Sequence, residues 1–164
     1  MSDKATLHFL SGKMAAGKST LAKVIARQCN GVLLVEDDYL ADLFPGEIRN
    51  IQDYIKYSAR VKQALEGLIH SLVSRGVSVV LDFPGNTLNQ RKWFRRIIEV
   101  VGTRHELHYV DASDDLCKIQ LKERSANLPG GTAFTSEAEF DAVTSYFQPP
   151  LDEEGFNIVR HTRV

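Results

Sequence analysis

Short apolar runs of strand length alternate along this chain with longer segments whose apolar residues recur at helical spacing. The runs are Thr6–Leu10, Val32–Val35, Val77–Leu81, His105–Val110 and Phe156–Val159. Between them, Leu21, Val24 and Ile25 make one helical stripe. Ile51, Ile55, Leu65, Leu68, Ile69, Leu72 and Val73 make a longer one, and Phe94, Ile97, Ile98 and Val101 a third. Leu116, Ile119 and Leu121, then Phe140, Val143 and Phe147, mark two more helices. Ser136 and Glu139 have capping-box spacing at the start of the last. Strands alternating with helices imply right-handed crossovers and a parallel sheet covered on both faces. The expected class is α/β, doubly wound in three layers, with roughly five parallel strands. No repeat, low-complexity tract or Ser/Pro-rich linker interrupts the pattern, so residues 1–164 read as a single domain.

Composition narrows the class without naming a chemistry. The 164 residues are 43% hydrophobic and 25% charged, as in ordinary globular chains. Twenty Lys and Arg against twenty-one Asp and Glu leave a formal charge of −1, which argues against a duplex-DNA binder. The start, MSDKATLHFLSGK, lacks the features of a signal peptide, and no run approaches the ~18–20 apolar residues of a membrane span. A cytoplasmic protein is expected, with no membrane partner. Cys29 and Cys117 lack CxxC spacing and read as buried, reduced thiols.

One motif supplies the chemistry. Gly12-Lys13-Met14-Ala15-Ala16-Gly17-Lys18-Ser19 fits G-x-x-x-x-G-K-[ST], directly after the first strand pattern and opening a helical one. Gly12 and Gly17 allow backbone conformations and close approaches that a Cβ forbids. The loop amides and the helix N-terminus then face an anion. Lys18 is expected to reach the β- and γ-phosphates and the Ser19 hydroxyl to ligate Mg²⁺. Residues Gly12 through Thr20 are the expected ATP contacts; Lys13, Met14, Ala15 and Ala16 contribute backbone, and Lys13 has no required side-chain role. No G-x-G-x-x-G occurs, which excludes a Rossmann dinucleotide site as the main reading.

Ligands of open α/β sheets sit at the carboxyl ends of the strands, where this chain carries acids. The second strand pattern runs into Glu36-Asp37-Asp38-Tyr39, the third into Asp82 and the fourth into Asp111. Asp82, after four apolar residues in five, has the form of a Walker B aspartate that holds Mg²⁺. Asp37 and Asp38, read as extended, point in opposite directions, so at most one faces the γ-phosphate as a base for an acceptor hydroxyl. Asp111 reads as part of a helix start. Among the basic residues, Arg91 and Arg124 are the candidates for stabilising a transferring phosphoryl group. The segment from Arg124 through Asn127-Leu128-Pro129-Gly130-Gly131-Thr132 reads as a closing lid, about 124–135. His105 and His108 face opposite ways, while His8, His70 and His161 stand alone; no zinc-ligand spacing appears.

Three stretches, SGKMAAGKSTLA, LLVEDDYL and VVLDFPGNT, resemble those of small P-loop kinases of the nucleoside-monophosphate-kinase-like group. The similarity is to stand-alone ATP-binding proteins related to polynucleotide 5′-hydroxyl kinases, zeta toxins and chloramphenicol phosphotransferase, and LKERSANLPGG fits their lid. The resemblance implies a three-layer P-loop NTPase fold, ATP and Mg²⁺ as cofactors, Asp38 as the kinase base, Asp82 as the strand-three aspartate and Arg124 as the lid arginine. Polynucleotide kinases place an arginine shortly after the aspartate pair. Here that stretch is Leu40-Ala41-Asp42-Leu43, which favours a small hydroxylated acceptor over a nucleic-acid end. The reading is an ATP-dependent phosphotransferase. The alternatives are a nucleotide-gated module that hydrolyses ATP slowly and, within the enzyme class, a kinase of nucleic-acid 5′-hydroxyls or antibiotics.

Overall fold

The computed structural model describes residues 5–126 and 136–164, so most of the expected lid lies outside the described residues. The elements in chain order are β1 (Thr6–Gly12), α1 (Lys18–Gln28), β2 (Val32–Val35), α2 (Glu36–Leu43), α3 (Ile51–Ser74), β3 (Val79–Asp82), α4 (Leu88–Val101), β4 (Arg104–Ala112), α5 (Asp114–Ala126), α6 (Glu137–Thr144), a 3₁₀ turn (Asp152–Glu154) and β5 (Ile158–Arg163). The strands form one sheet in the order β2-β3-β1-β4-β5, every pair parallel. Strand alternation sends Leu7 and Phe9 of β1 into a core shared with α3 and α4. Leu10, on the opposite face, packs with Ala22 and Ile25 of α1. Val110 and Ala112 of β4 meet Cys117 and Leu121 of α5 and Phe140 of α6 on that second face. The expected three layers are present.

Local signals explain most boundaries. Asn50 and Thr87 cap α3 and α4 by accepting from the amides of Asp53 and Gln90. Ser136 and Glu139 close the expected capping box. Gly85, between β3 and α4, has no room for a side chain: a Cβ there would lie 2.5 Å from both the Leu10 carbonyl oxygen and the Phe94 ring. Phe94 in turn stacks on Phe9 at 4.5 Å, so this close approach sets how α4 lies on the sheet.

The structure differs from the sequence expectations along several elements. The acidic stretch after β2 is the first turn of α2, not extended chain. Helix α3 buries Tyr57, Val61, Leu65, Ile69 and Val73, a stripe at four-residue spacing, and leaves Ile51 and Ile55 exposed. The last strand runs two residues later than Phe156 and extends through Arg163. Cys117 is buried, Cys29 is half-buried, and both are free thiols. Among the described residues, no helix is long and apolar enough to cross a membrane.

Candidate functional site

The loop after β1 has the backbone an anion cradle needs. Ala15 and Gly17 both adopt positive φ, at 60° and 103°, and Gly17 leads directly into α1. The turn closes by a bond from the Ala16 amide to the Lys13 carbonyl, and the Leu21 amide binds the Gly17 carbonyl. A non-glycine residue held at positive φ costs of order 1 kcal/mol or more, and such strain collects at ligand clamps. Lys18 is folded inward. Its Nζ donates to the carbonyl of Gly12 and lies 3.4 Å from Asn86 Oδ1. Burial pulls its pKa down to about 8, against the opposing pull of Asp82. A cavity of about 250 Å³ opens over Ala15–Thr20 and is closed on its far side by Gln120 and Arg124 of α5.

Asp82 ends β3 beside this loop and accepts from the Ser19 hydroxyl at 2.8 Å. Two hard oxygen donors at that separation suit Mg²⁺, which binds carboxylates and hydroxyls and keeps several waters. The residues present therefore fit the metal that the motif implies. The second strand end supplies a third acid, in an arrangement that the sequence misjudged. Because α2 starts at Glu36, Asp37 and Asp38 are neighbours on a helical turn and diverge by about 100° rather than facing opposite ways. Asp37 shares the field of the loop: loss of water around its carboxyl raises its pKa, Asp82 and Asp38 raise it further, and Arg124 and Lys18 oppose them. Glu36 belongs to the packing. It is buried and accepts from Tyr54 Oη at 2.5 Å and Ser58 Oγ at 2.8 Å, fastening α2 to α3.

Arg91 is not brought to the phosphates, contrary to the expectation for it. Its side chain is fully buried, with Nε 2.7 Å from Glu154 Oε1, Nη2 3.1 Å from Oε2, and Nη1 on the Gly85 carbonyl at 2.8 Å. Those bonds tie α4 to the turn before β5 and occupy the guanidinium. Lys13 likewise turns away, to Asp114 at 2.7 Å. Arg124 does reach the cavity, from the last turn of α5.

Two residues at the loop were not found from sequence. Asn86 Oδ1 accepts from the Gly12 amide at 3.0 Å, bracing the start of the loop. Arg163 donates from Nη1 to the Ala16 carbonyl at 2.7 Å, and from Nη2 to Gln120 at 3.0 Å with the Gln120 amide turned to satisfy both its partners. Asn86 sits in the VVLDFPGNT stretch, which offered a signal. Arg163 offered none, since only the strand order brings β5 near the loop.

The family described as AAA domain matches residues 7–150. The chain belongs to this AAA domain family. No curated protein matches it in sequence. Solved structures similar to this AAA domain include a protein of Chloroflexus aurantiacus j-10-fl described as a candidate kinase. It is 19% identical with a TM-score of 0.73, covering 98% of this chain and 89% of the other. The APS kinase CysC of Mycobacterium tuberculosis, in complex with AMPPNP and APS, is 16% identical with a TM-score of 0.63, covering 97% and 88%. A gluconokinase from Sinorhizobium meliloti 1021 is 14% identical with a TM-score of 0.61, covering 97% and 82%. At these identities the likeness is one of fold: a kinase-like P-loop fold with a five-stranded parallel sheet.

Proposed function

We propose that this AAA domain is an ATP-dependent phosphotransferase that moves the γ-phosphoryl group of Mg²⁺-ATP to a hydroxyl of a small molecule. The observation that carries the reading is a further carboxylate, Asp37, in the shared field of Lys18, Asp82 and Arg124, with Ser19 and Asp82 in contact at 2.8 Å. A nucleotide-binding module needs the loop and the Mg²⁺ donors. It does not need a further carboxylate in the field of the loop, and Asp37, whose pKa is raised by loss of water around its carboxyl and by Asp82 and Asp38, is such a group.

In this reading the loop amides of Met14–Thr20 and the Lys18 ammonium hold the β- and γ-phosphates, with Gly12 fixed by Asn86 beneath them. Ser19 and Asp82 would hold Mg²⁺, which supplies charge compensation at the phosphate oxygens. Asp37, not Asp38, accepts the proton of the acceptor hydroxyl as its oxygen bonds the γ-phosphorus and the bond to the bridging oxygen of ADP breaks. Arg124 faces the charge that spreads over the transferring group. A second cavity of about 380 Å³ lies beside Lys13 and Met14, with Ile51, Val143, Tyr146 and Phe147 as apolar wall and Asn86, Thr87 and Gln90 as polar wall. Its size and mixed lining suit a small acceptor. The M. tuberculosis structure with AMPPNP and APS provides a precedent on this fold for a nucleotide beside a small molecule.

The test is ADP release from Mg²⁺-ATP with pooled nucleosides, sugars, aminoglycosides or 5′-hydroxyl oligonucleotides. Stimulation by a small-molecule pool is expected. Stimulation by oligonucleotides alone would replace the acceptor class, and slow turnover indifferent to every pool would replace the phosphotransferase with a nucleotide-gated module.

A further inference from the structure

Three histidines that are far apart in sequence meet across the sheet. His8 on β1, His108 on β4 and His161 on β5 lie on adjacent strands in the order β1-β4-β5. His8 Nδ1 is 3.1 Å from His108 Nε2, and His108 Nδ1 is 2.9 Å from His161 Nε2. Glu106, directly paired with His8 in register, sets its Oε2 3.5 Å from His8 Nδ1 and 3.3 Å from His108 Nε2. His8 and His108 are buried, whereas 37% of the Glu106 side chain is exposed, so the cluster has one open side. It sits about 13 Å down β1 from Gly12, at ~3.3 Å per residue, and takes no part in the phosphate site.

We propose that His8 Nδ1, His108 Nε2 and Glu106 Oε2 form a three-ligand site for a divalent cation of the zinc class, with His161 orienting His108 from behind. The three donor atoms form a triangle with sides of 3.1, 3.3 and 3.5 Å. Zn²⁺ bonds nitrogen and oxygen at about 2.0–2.1 Å, and a tetrahedron of that size has edges of about 3.3–3.4 Å. The triangle therefore matches one face of a zinc tetrahedron, with the fourth position toward the open side for water.

A relay of single protons from His8 through His108 to His161 satisfies the nitrogens but leaves the Glu106 carboxylate to water on the open side. A proton on each nitrogen aims both at Oε2 across distances beyond the usual ~2.7–3.2 Å and sets two N–H groups against each other at 3.1 Å. A single cation between the three atoms satisfies all of them. The contact from His108 Nδ1 to His161 is the second partner that metal-binding imidazoles use to fix tautomer and ring angle. Two imidazoles with one carboxylate favour zinc or a similar transition ion over Mg²⁺, which takes oxygen ligands. Bound there, the ion would clasp β1 to β4 and, through His161, brace β5.

The test is Zn²⁺ titration of the full chain against a chromogenic chelator, with excess Mg²⁺ present to occupy oxygen-donor sites. One Zn²⁺ per chain is expected, together with the intense visible absorption of four-coordinate Co²⁺ when cobalt replaces it. His8→Gln and Glu106→Gln should each weaken binding by at least ~10–100-fold, and His161→Phe by about that much. His70→Gln, at an exposed histidine on α3, should leave it unchanged. Glu106→Gln alters a partly exposed side chain and carries the test if His8→Gln does not fold by circular dichroism. Absence of stoichiometric binding by folded wild-type protein, or equal affinity in folded Glu106→Gln, would overturn the proposal.

Discussion

Removing Glu154 separates the two roles that a basic residue at position 91 could serve. The Arg91 side chain is fully buried, and its charge is balanced by Glu154, whose side chain is 14% exposed. Glu154→Ala leaves a buried guanidinium with the Gly85 carbonyl at 2.8 Å and the Pro149 carbonyl at 3.4 Å, neither of them a counter-charge. Breaking a buried pair in this way costs about 3–5 kcal/mol. At roughly 2–4 °C per kcal/mol for a chain of this size, Tm should fall by about 6–20 °C. Arg91→Met should cost less, because the remaining Glu154 carboxylate is 14% exposed and can draw water, although the Gly85 carbonyl loses its buried donor. Calorimetry of both variants, with nucleotide titrations below their transitions, makes the measurement. Both variants should lose stability and keep nucleotide affinity within a few-fold of wild type. An Arg91→Met protein that melts within ~1 °C of wild type but loses nucleotide affinity or turnover would refute this reasoning and return Arg91 to the phosphates.

Lys18 gives a pH signature. Its folded pKa of about 8 lies below the ordinary 10.5, so the folded chain binds fewer protons between those values. This group's contribution to stability is therefore constant below pH 8 and rises from 8 to about 10.5. Chemical denaturation across that window should show the rise in wild type and its loss in Lys18→Met, and the variant should be at least as stable as wild type at pH 7 without nucleotide. Phosphates favour the charged ammonium, so nucleotide affinity should fall as pH climbs above 8, by up to tenfold per unit. Asn86→Ala removes the acceptor for the Gly12 amide and should weaken nucleotide binding by an amount corresponding to about 1–3 kcal/mol, read by direct titration. Gly85→Ala forces a Cβ against the Leu10 carbonyl and Phe94; a loss of at least ~2 kcal/mol in denaturant unfolding is expected, and an unchanged midpoint would contradict the packing described for α4.

The layers, the parallel sheet and the phosphate loop were legible because each rests on local pattern. Val79–Leu81 is an apolar run, Gly17-Lys18-Ser19 opens a helix, and Asp82 follows its strand directly. What failed depended on partners distant in the chain. Arg91 reads as a partner of the transferring phosphoryl group until Glu154, 63 residues later, folds over it. Glu36 reads as one of three acids at a strand end, yet Tyr54 and Ser58 of α3 draw it into the core. Whether Asp37 and Asp38 face opposite ways turned on where α2 begins, a boundary that capping signals do not mark, since Val35 at its N-cap offers no side-chain bond. The histidines looked isolated because their adjacency exists only once β1, β4 and β5 stand side by side.

The central claim is that a carboxylate on α2 works with the loop to transfer a phosphoryl group, and that the carboxylate is Asp37. Acceptor-stimulated ADP release by Asp37→Asn and Asp38→Asn, each with its nucleotide affinity measured in parallel, tests it most directly. Asp37→Asn should bind nucleotide within a few-fold of wild type and lose about 10²–10⁴ in stimulated turnover, the worth of a positioned general base. Asp38→Asn should retain turnover within a few-fold. Full turnover in Asp37→Asn, or its collapse in Asp38→Asn alone, would contradict the account.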